Sequence, residues 1–230
     1  MPALTLVIGN KNYSSWSMRP WVLMRQAGIA FTERAVRFDS FEKGSAFRAT
    51  LDALGVAGKV PVLLLEDGTA VWDTLAIAET LAECFPDKHL WPADAARRAQ
   101  ARSVVAEMHA GFGALRTHCT MNIEARLPEV GALLWRDRPD VRADVARLVA
   151  LWTGLLERHG GPMLFGEFSI ADAFYAPVCL RLRTYGLPVP EAITAYGDRV
   201  CALPGVAAWI AGALAEQDFI AFEEPYRLGR

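Results

Sequence analysis

Cysteine is scarce in this sequence, and its spacing does not build a site. The four cysteines lie far apart and form no C-x-x-C pair: Cys84, Cys119, Cys179 and Cys201. His118 precedes Cys119, but two adjacent ligands cannot close a metal site alone. We therefore expect neither a disulfide framework nor a bound metal, and we interpret the cysteines as small core residues.

An excess of positive charge and long apolar runs are also missing. The 230 residues carry 24 basic and 26 acidic side chains, a formal net charge of −2, which gives no basic face for nucleic acid or an acidic membrane. The apolar runs VPVLLL and VAAWIAGALA are well below the ~20 residues of a membrane span. The start MPALTLVIGN has no basic segment followed by a long apolar core. We expect a cytoplasmic globular protein with no nucleic-acid or membrane partner.

The hydrophobic pattern of the first third alternates between strand and helix. Strands are predicted over LTLVIG and FTERAVRF, and a hairpin over VPVLLLE and TAVW, which an Asp67–Gly68 turn joins. Helices are predicted over WSMRPWVLMRQAG, GSAFRATLDALG and DTLAIAETLAECF, the last capped by Asp73 or Thr74. The predicted order is β-α-β-α-β-β-α.

The pattern changes at PDKHLWPAD, residues 86 to 94, where two prolines and several charges are typical of a linker. Beyond it we find helical periodicity and no convincing strand; ADVARLVALWTGLLERHGG, for example, has apolar residues at helix-face intervals. Ser169 and Asp172 form a capping-box pattern ahead of another apolar run, and their predicted role is structural. We predict an α/β domain over residues 1–86 and an all-helical domain over residues 93–230.

Four short motifs carry a family resemblance. SSWSMR, KVPVL, WDTLAI and FSIADAFYAP occur in this order, and together they resemble the landmarks of a cytosolic glutathione S-transferase along the whole chain. SSWSMR is most similar to the SSCSWR pattern of the zeta class, which includes maleylacetoacetate isomerases, with Trp16 in place of the cysteine. The resemblance implies a thioredoxin-like domain that binds glutathione, a helical domain that covers the electrophile site, and a homodimer.

Serines at the strand-to-helix turn are the catalytic candidates. An ordinary thiol has a pKa of about 8.5, and a hydroxyl donor at a helix N-terminus stabilises its thiolate, which is the nucleophile. The zeta-like motif favours Ser14 as that donor, whereas counting back from Arg19 points to Ser15. Ser17 is expected to cap the first turn or to face solvent. Arg19 is expected to form a salt bridge or to be solvated.

The resemblance assigns the other landmarks to glutathione. Val60 would pair its backbone with the cysteinyl unit before a cis bond to Pro61, and Lys59 would reach a ligand carboxylate. At the start of the third helix, Thr74 would donate to the γ-glutamyl carboxylate and Asp73 would accept from the ammonium group. A plain helix cap is the alternative for this pair.

The electrophile pocket is specified less well. Tyr13 and Trp16 flank the serines and are candidates for one wall of an apolar pocket. His109, Phe112 and Arg116 are placed by spacing on one face of a helix and are candidates for another wall. The sequence does not identify the second substrate.

Three classes of function follow. The first is a glutathione S-transferase that uses a serine hydroxyl to activate the thiolate, with glutathione as co-substrate and a small electrophile as partner; a maleylacetoacetate or maleylpyruvate type of isomerase is its alternative. The second, a disulfide reductase, is weakened because no cysteine precedes Cys84. The third is a non-catalytic glutathione-binding family member, since fold does not imply activity.

Overall fold

An α/β domain precedes a helical one, as predicted, in a computed structural model that describes residues 4–56 and 58–230. Residues 1–3 and 57 of the predicted first domain lie outside the described residues. The first domain contains, in order, β1 (Thr5–Ile8), α1 (Ser15–Gln26), β2 (Thr32–Ala35), α2 (Ala46–Asp52), β3 (Val62–Leu64), β4 (Ala70–Trp72) and α3 (Thr74–Cys84). This is the predicted order β-α-β-α-β-β-α.

The four strands form one mixed sheet in the order β2-β1-β3-β4. β1 pairs parallel to β2 and antiparallel to β3, and β4 completes the predicted hairpin with β3. The prediction of a half-buried strand over FTERAVRF was wrong in its extent, because β2 is a four-residue edge strand whose side chains are all exposed. The apolar Val36 and Phe38 lie beyond its end, where they pack against Phe47 of α2.

The rest of the described chain is helical. It contains α4 (Ala95–Ala110), α5 (Gly113–His118), α6 (Pro128–Asp137), α7 (Pro139–His159), α8 (Ile170–Tyr185), α9 (Glu191–Ala202) and α10 (Pro204–Glu216), with short 3₁₀ turns at Pro86–Lys88 and Ala221–Glu223. After β4 the described residues contain no strand, and the β-type pairing there is limited to isolated bridges near Phe165. Among the described helices none alone is long and apolar enough to cross a membrane, and only α9 with α10, bent by 76°, passes that test as a pair.

Helix α8 is the buried centre of the helical domain. Its capping box is confirmed: the Ser169 side chain accepts from the Ala171 N–H, and the Asp172 carboxylate accepts from the Ser169 N–H at 2.9 Å. Asp172 also accepts from the Leu164 N–H and from the Tyr196 hydroxyl. One carboxylate therefore ties the start of α8 to the preceding loop and to α9.

Helix α1 lies at the boundary between the two domains. It packs against α3 on its own side and against α8 and α10 on the other. Trp21 of α1 meets Trp209 of α10 edge to face, with ring centroids 5.3 Å apart. The start of α1, where the serines lie, therefore faces the gap between the domains.

Candidate functional site

A cleft of about 900 Å³ lies between the domains at the start of α1. This volume is in the range of small-molecule sites. Side chains of both domains line it, including Tyr13, Ser14, Ser15, Trp16, Lys59, Val60, Pro61, Asp73 and Thr74 from the first and His109, Arg116, Thr120, Met121, Arg181 and Glu223 from the second. All nine site residues proposed from the sequence thus meet in one cleft.

Ser14 is the N-cap of α1 and is bonded to Ser17. The Ser14 hydroxyl donates to the Ser17 Oγ at 2.7 Å, and its oxygen accepts from the Ser17 N–H at 3.3 Å. The Ser17 Oγ also accepts from the Gly9 N–H at the end of β1. Ser17 is therefore fully buried inside the first turn, which excludes the solvated alternative, and it holds the Ser14 side chain in place.

Ser15 contacts a cation from the other domain. Its Oγ accepts from the Arg181 Nη2 at 3.3 Å, while Arg181 Nε donates to the Cys119 carbonyl at 2.8 Å. Within the described residues, no acceptor takes the Ser15 hydroxyl proton. That proton is available to a ligand in the cleft, and the bond from Arg181 polarises the hydroxyl toward donation.

Asp73 and Thr74 begin α3 with unusual geometry. Asp73 has φ 75°, a backbone conformation that non-glycine residues rarely adopt, and its carboxylate caps the Leu75 N–H at 2.8 Å. Thr74 is only 1% exposed, and its Oγ1 is buried without a hydrogen-bond partner among the described residues. A buried hydroxyl at the positive end of a helix, on the wall of a cleft, is suited to an anionic ligand group.

The Val60–Pro61 peptide bond is cis, as the family resemblance implies. Pro61 is buried at the start of β3, Val60 is half-buried, and Lys59 is exposed at the cleft. The backbone of Val60 and the Lys59 ammonium group therefore border the same cavity as the serines.

The predicted second wall differs in detail from the prediction. His109 and Arg116 both line the cleft, but the helix breaks between them at Gly111 and Phe112, which has φ 55°. Phe112 turns away and packs edge to face on Tyr175 in the core. The three residues thus do not share one helix face, because α4 ends at Ala110 and α5 begins at Gly113.

His109 links the two walls of the cleft. Its Nε2 lies 3.3 Å from the Asp73 Oδ2, and its ring meets Trp16 edge to face at 5.2 Å. The guanidinium carbon of Arg116 lies 5.5 Å from the centroid of the Trp16 ring, and Arg116 donates to the His109 carbonyl at 3.2 Å. Trp16 therefore stands between two side chains of the helical domain.

Arg19 contradicts both of its expected roles. It is fully buried and forms neither a salt bridge nor a hydrogen bond with any described residue. The guanidinium carbon instead lies 4.1 Å from the Trp16 ring and 5.2 Å from the Phe174 ring. Burial, together with nearby Arg181 and Arg116, lowers the pKa of Arg19 to about 9.

Tyr13 is held by the C-terminal segment. Its hydroxyl donates to the Glu224 carboxylate at 2.7 Å, and burial with this neighbour raises the pKa of Tyr13 to about 12. Glu224 also accepts from Asn122 of the helical domain at 2.8 Å. Tyr13 therefore lines the cleft as a neutral side chain.

Sequence reasoning missed Arg181, Glu223 and Arg48, which also line the cleft. Arg181 had a signal: it is a lone cation in the otherwise apolar run YAPVCLRL, and such a buried charge is rare without a ligand or a hydrogen-bond network. Among the described residues, His, Cys, Asp and Glu nowhere form a group of three that could hold a metal.

The fold and the cleft define a two-domain protein that holds a small ligand between a mixed-sheet domain and a helical domain. Residues 13–84 match the family model of the glutathione S-transferase N-terminal domain, and residues 94–212 match that of the C-terminal domain. The chain belongs to the glutathione S-transferase family.

Individual relatives agree with this assignment. The chain is 29% identical over 202 residues to glutathione S-transferase GstA of Escherichia coli O157:H7, covering 83% of this chain and 90% of the relative. A glutathione transferase homologue from Burkholderia gl BGR1, solved with bound glutathione, has a TM-score of 0.68 at 25% identity, covering 93% and 99%. Maleylacetoacetate isomerase from Anaeromyxobacter dehalogenans 2CP-1 has a TM-score of 0.62 at 25% identity, covering 91% of each chain.

Proposed function

We propose that this protein is a serine-type glutathione S-transferase, which binds glutathione in the cleft and directs its thiolate at a small electrophile. The observation that carries the proposal is Thr74, whose Oγ1 is buried without a partner at the start of α3. A γ-glutamyl carboxylate would accept from this hydroxyl and from the free N–H groups of the helix. The ammonium group of the γ-glutamyl unit would pair with Asp73, and the glycyl carboxylate of glutathione would pair with Lys59.

Glutathione binding is tested by calorimetry on a Thr74→Val variant. Valine keeps the shape and removes the hydroxyl, so we expect the dissociation constant to rise about 10- to 100-fold, as loss of a hydrogen bond to a charged group does. Thr80→Val is the matched control, because Thr80 lies on the same helix and donates only to the Ala76 carbonyl. Equal affinity in the two variants would contradict the role of Thr74.

A serine at the start of α1 supplies the thiolate donor in this proposal, with Ser14 as the first assignment. Ser14 lies at the positive end of α1, and Ser17 fixes its position. Its hydroxyl must rotate from Ser17 to the ligand sulfur, which a serine hydroxyl does readily. Ser15 is the competing donor, because its proton is free and Arg181 polarises it.

Alanine variants of Ser14 and Ser15, compared by the ultraviolet absorbance of the glutathione thiolate, identify which serine is the donor. Removing the true donor should raise the pKa of bound glutathione by about one unit and slow turnover about 10-fold or more, since one unit equals about 1.4 kcal/mol. The other variant should change neither value strongly. If neither variant changes the thiol pKa, the serines are helix caps, and the protein is a glutathione-binding member without this chemistry.

A glutathione-dependent isomerase of the maleylacetoacetate or maleylpyruvate type is the second candidate. Its support is the zeta-like SSWSMR motif, together with the similarity to the maleylacetoacetate isomerase structure. Trp16 stands where the zeta pattern has cysteine, so a changed substrate is expected. Turnover of cis-enediones with glutathione present, measured by loss of the cis isomer without a conjugate of higher mass, would favour this candidate.

We further propose a cytoplasmic homodimer, on the strength of the family resemblance. Light scattering should then give twice the 25.2 kDa of one chain. A mass of one chain at micromolar concentration would contradict the dimer, and recovery of the native protein in a membrane or secreted fraction would contradict the location.

A further inference from the structure

Arginines are concentrated on the wall of the cleft that the helical domain provides. Arg116 and Arg181 both line it, and neither forms a salt bridge with any carboxylate of the described residues. Arg181 is 5% exposed, and its bonds to two backbone carbonyls and Ser15 use three of its five N–H groups. Arg116 donates one N–H to the His109 carbonyl. Both guanidinium groups therefore keep donors for a ligand.

Arg19 adds a third positive charge behind this wall. It is buried, and its guanidinium carbon lies 4.1 Å from the centroid of the Trp16 ring, which the guanidinium carbon of Arg116 approaches to 5.5 Å. Burial is the larger cause that lowers the pKa of Arg19 to about 9 and of Arg181 to about 10; repulsion from Arg181 and Arg116 adds to the shift of Arg19, and repulsion from Arg116 adds to that of Arg181. Arg19 and Arg181 remain protonated at neutral pH, so the wall carries positive charge into a partly dehydrated space.

The proposed glutathione contacts lie elsewhere. Thr74, Asp73 and Lys59, all from the first domain, account for the three charged groups of glutathione. Arg181 instead touches Ser15, at the end of the cleft where the sulfur is expected. The two free arginines thus face the space that the second substrate would occupy.

We infer that the second substrate carries a carboxylate, which binds between Arg116 and Arg181 and places the electrophilic carbon beside the glutathione sulfur. The inference rests on the proposed function for the identity of the nucleophile. Two guanidinium groups with free donors match a planar carboxylate, and partial burial strengthens the interaction. The half-buried Trp16 lines the same cleft and can contact an apolar part of the same substrate.

Glu223 is an acidic side chain of the helical domain that lines the same cleft. Arg181 acts on it electrostatically, although burial and Glu224 raise the pKa of Glu223 overall. One carboxylate offsets at most one of the two lining arginines. Glu223 is therefore a built-in competitor that tunes the affinity for the anion but does not abolish it.

The test compares a substrate acid with its own uncharged ester. 4-Chloro-3,5-dinitrobenzoate and its methyl ester share one reaction: sulfur bonds to the carbon that bears chlorine, chloride leaves with the bonding pair, and the thiol proton goes to solvent. Rates are divided by the uncatalysed rate with glutathione, because the ester is intrinsically more reactive. For the native enzyme we expect a corrected kcat/KM at least about 10-fold higher for the acid, the effect of a hydrogen-bonded ion pair.

Arg116→Gln should remove most of this preference, lowering kcat/KM for the acid about 10-fold while the ester and the glutathione affinity change less than about 2-fold. Arg116→Lys should restore part of it. Glu223→Gln should increase the preference. Arg147→Gln, which removes the same charge from an exposed pair with Glu107, is the control and should change nothing.

Three results would overturn the inference. They are no preference in the native enzyme, an equal loss for acid and ester in Arg116→Gln, and a fall in glutathione affinity in that variant, which would assign Arg116 to glutathione. Calorimetry with unreactive 3,5-dinitrobenzoate and its methyl ester distinguishes failure of this inference from failure of the proposed function. Binding that prefers the acid and depends on Arg116 would support the anion subsite even in a protein that lacks transferase activity.

Discussion

At the scale of single residues, Asp73 combines an unfavourable backbone conformation with a side chain that lines the cleft. Its φ of 75° costs an L-residue on the order of 1 to 3 kcal/mol, and the surrounding fold must sustain that cost. Such strain is often retained where a side chain must point at a ligand. Here the carboxylate faces the cleft and His109 rather than forming only the cap of α3.

Replacing Asp73 by glycine should separate stability from binding. Glycine relieves the positive φ and is a tolerable N-cap, so the melting temperature should stay equal or rise. Glutathione affinity should fall by about 1.5 to 3 kcal/mol, because the ammonium group loses its carboxylate. Thermal unfolding and calorimetry measure the two effects, with Asp73→Asn as the control that keeps the cap and the strain. A lower melting temperature with unchanged affinity would show that Asp73 is only a cap.

Arg19→Met should stabilise the protein at neutral pH. A buried cation without a partner costs several kcal/mol, of which contacts with Trp16 and Phe174 return only part, so we expect a gain of about 1 kcal/mol or more. The pKa of Arg19 is lowered to about 9, well below that of an ordinary guanidinium, so the folded state releases the proton before the unfolded chain does. The cost of burying the charge is therefore fully present below about pH 9 and decreases as the pH rises above that value.

Urea unfolding at pH 7 and pH 10 measures this effect, and the advantage of the methionine variant should shrink at the higher pH. Arg25→Met is the control, because Arg25 is exposed on the same helix and its loss should change stability by less than about 0.5 kcal/mol. Destabilisation by Arg19→Met at pH 7 would mean that packing and the aromatic contacts outweigh the cost of burial.

For single residues, the sequence predicted which positions lie at the site better than it predicted which side chains contact each other there. The Val60–Pro61 geometry and the cap at Asp73 follow from local chemistry and a family motif. The roles of Arg19 and Arg181 depend on which helices pack around them, and no local pattern encodes that. The family motifs therefore identified the first-domain residues near the site, and helix spacing pointed to Arg116, but neither pattern identified Arg181 as a charge on the second wall.

At the scale of elements, the start of α8 depends on one buried carboxylate. Asp172→Ala would leave the Leu164 and Ser169 N–H groups and the Tyr196 hydroxyl without an acceptor. Each buried unsatisfied donor costs about 1 to 3 kcal/mol, so we expect the free energy of unfolding to fall by more than about 3 kcal/mol. Ser169→Ala should cost only about 1 kcal/mol, the usual value of a cap.

Chemical unfolding measures these losses, with Asp94→Ala as the matched control. Asp94 caps the exposed start of α4 through the Arg97 N–H, so its loss should also cost about 1 kcal/mol. Similar losses for Asp172→Ala and Asp94→Ala would mean that the network around α8 adds nothing to an ordinary cap.

Elements were predicted well where one pattern determined them. The order of the first domain and the capping box needed only local alternation and side-chain caps. The break between α4 and α5 was missed, because Phe112 adopts φ 55° in response to tertiary packing and not to its own preference. The edge strand β2 was overextended for a similar reason: the apolar residues after it are buried by α2, not by sheet pairing.

At the scale of the whole molecule, the chain after α10 returns across both domains. Glu224 accepts from Tyr13 of the first domain and from Asn122 of the second, and Arg227 adds an ion pair at 2.7 Å. Asp218 meanwhile pairs with Arg37 beside β2 at 2.6 Å. The contacts of Tyr13 with Glu224 and of Arg37 with Asp218 join residues 211 and 181 positions apart, so no sequence window predicts them. They place the C-terminal segment next to Tyr13, the neighbour of the proposed donor Ser14.

Glu224→Ala should therefore weaken the whole fold and not only the tail. The variant leaves the Tyr13 hydroxyl, the Asn122 amide and the Arg227 guanidinium without their shared acceptor, which should lower the free energy of unfolding by about 3 kcal/mol or more. Arg230→Ala is the control on the same segment, because its exposed pair with Glu124 should contribute less than about 1 kcal/mol.

The pH dependence provides an independent check of the same contact. Burial acts to raise the pKa of Glu224, but hydrogen bonds from Arg227, Tyr13 and Asn122 outweigh it and hold the pKa below the ordinary value of 4.5. A carboxylate with a lowered pKa stabilises the fold above its unfolded pKa, and that part is lost as pH falls through the folded value. Urea unfolding should thus show a difference in the free energy of unfolding between native protein and Glu224→Ala that is constant from pH 7 to pH 5. This difference should become smaller below about pH 4. A difference that stays constant into acid would assign the loss to packing around Glu224, because the carboxylate charge would then contribute nothing to joining the two domains.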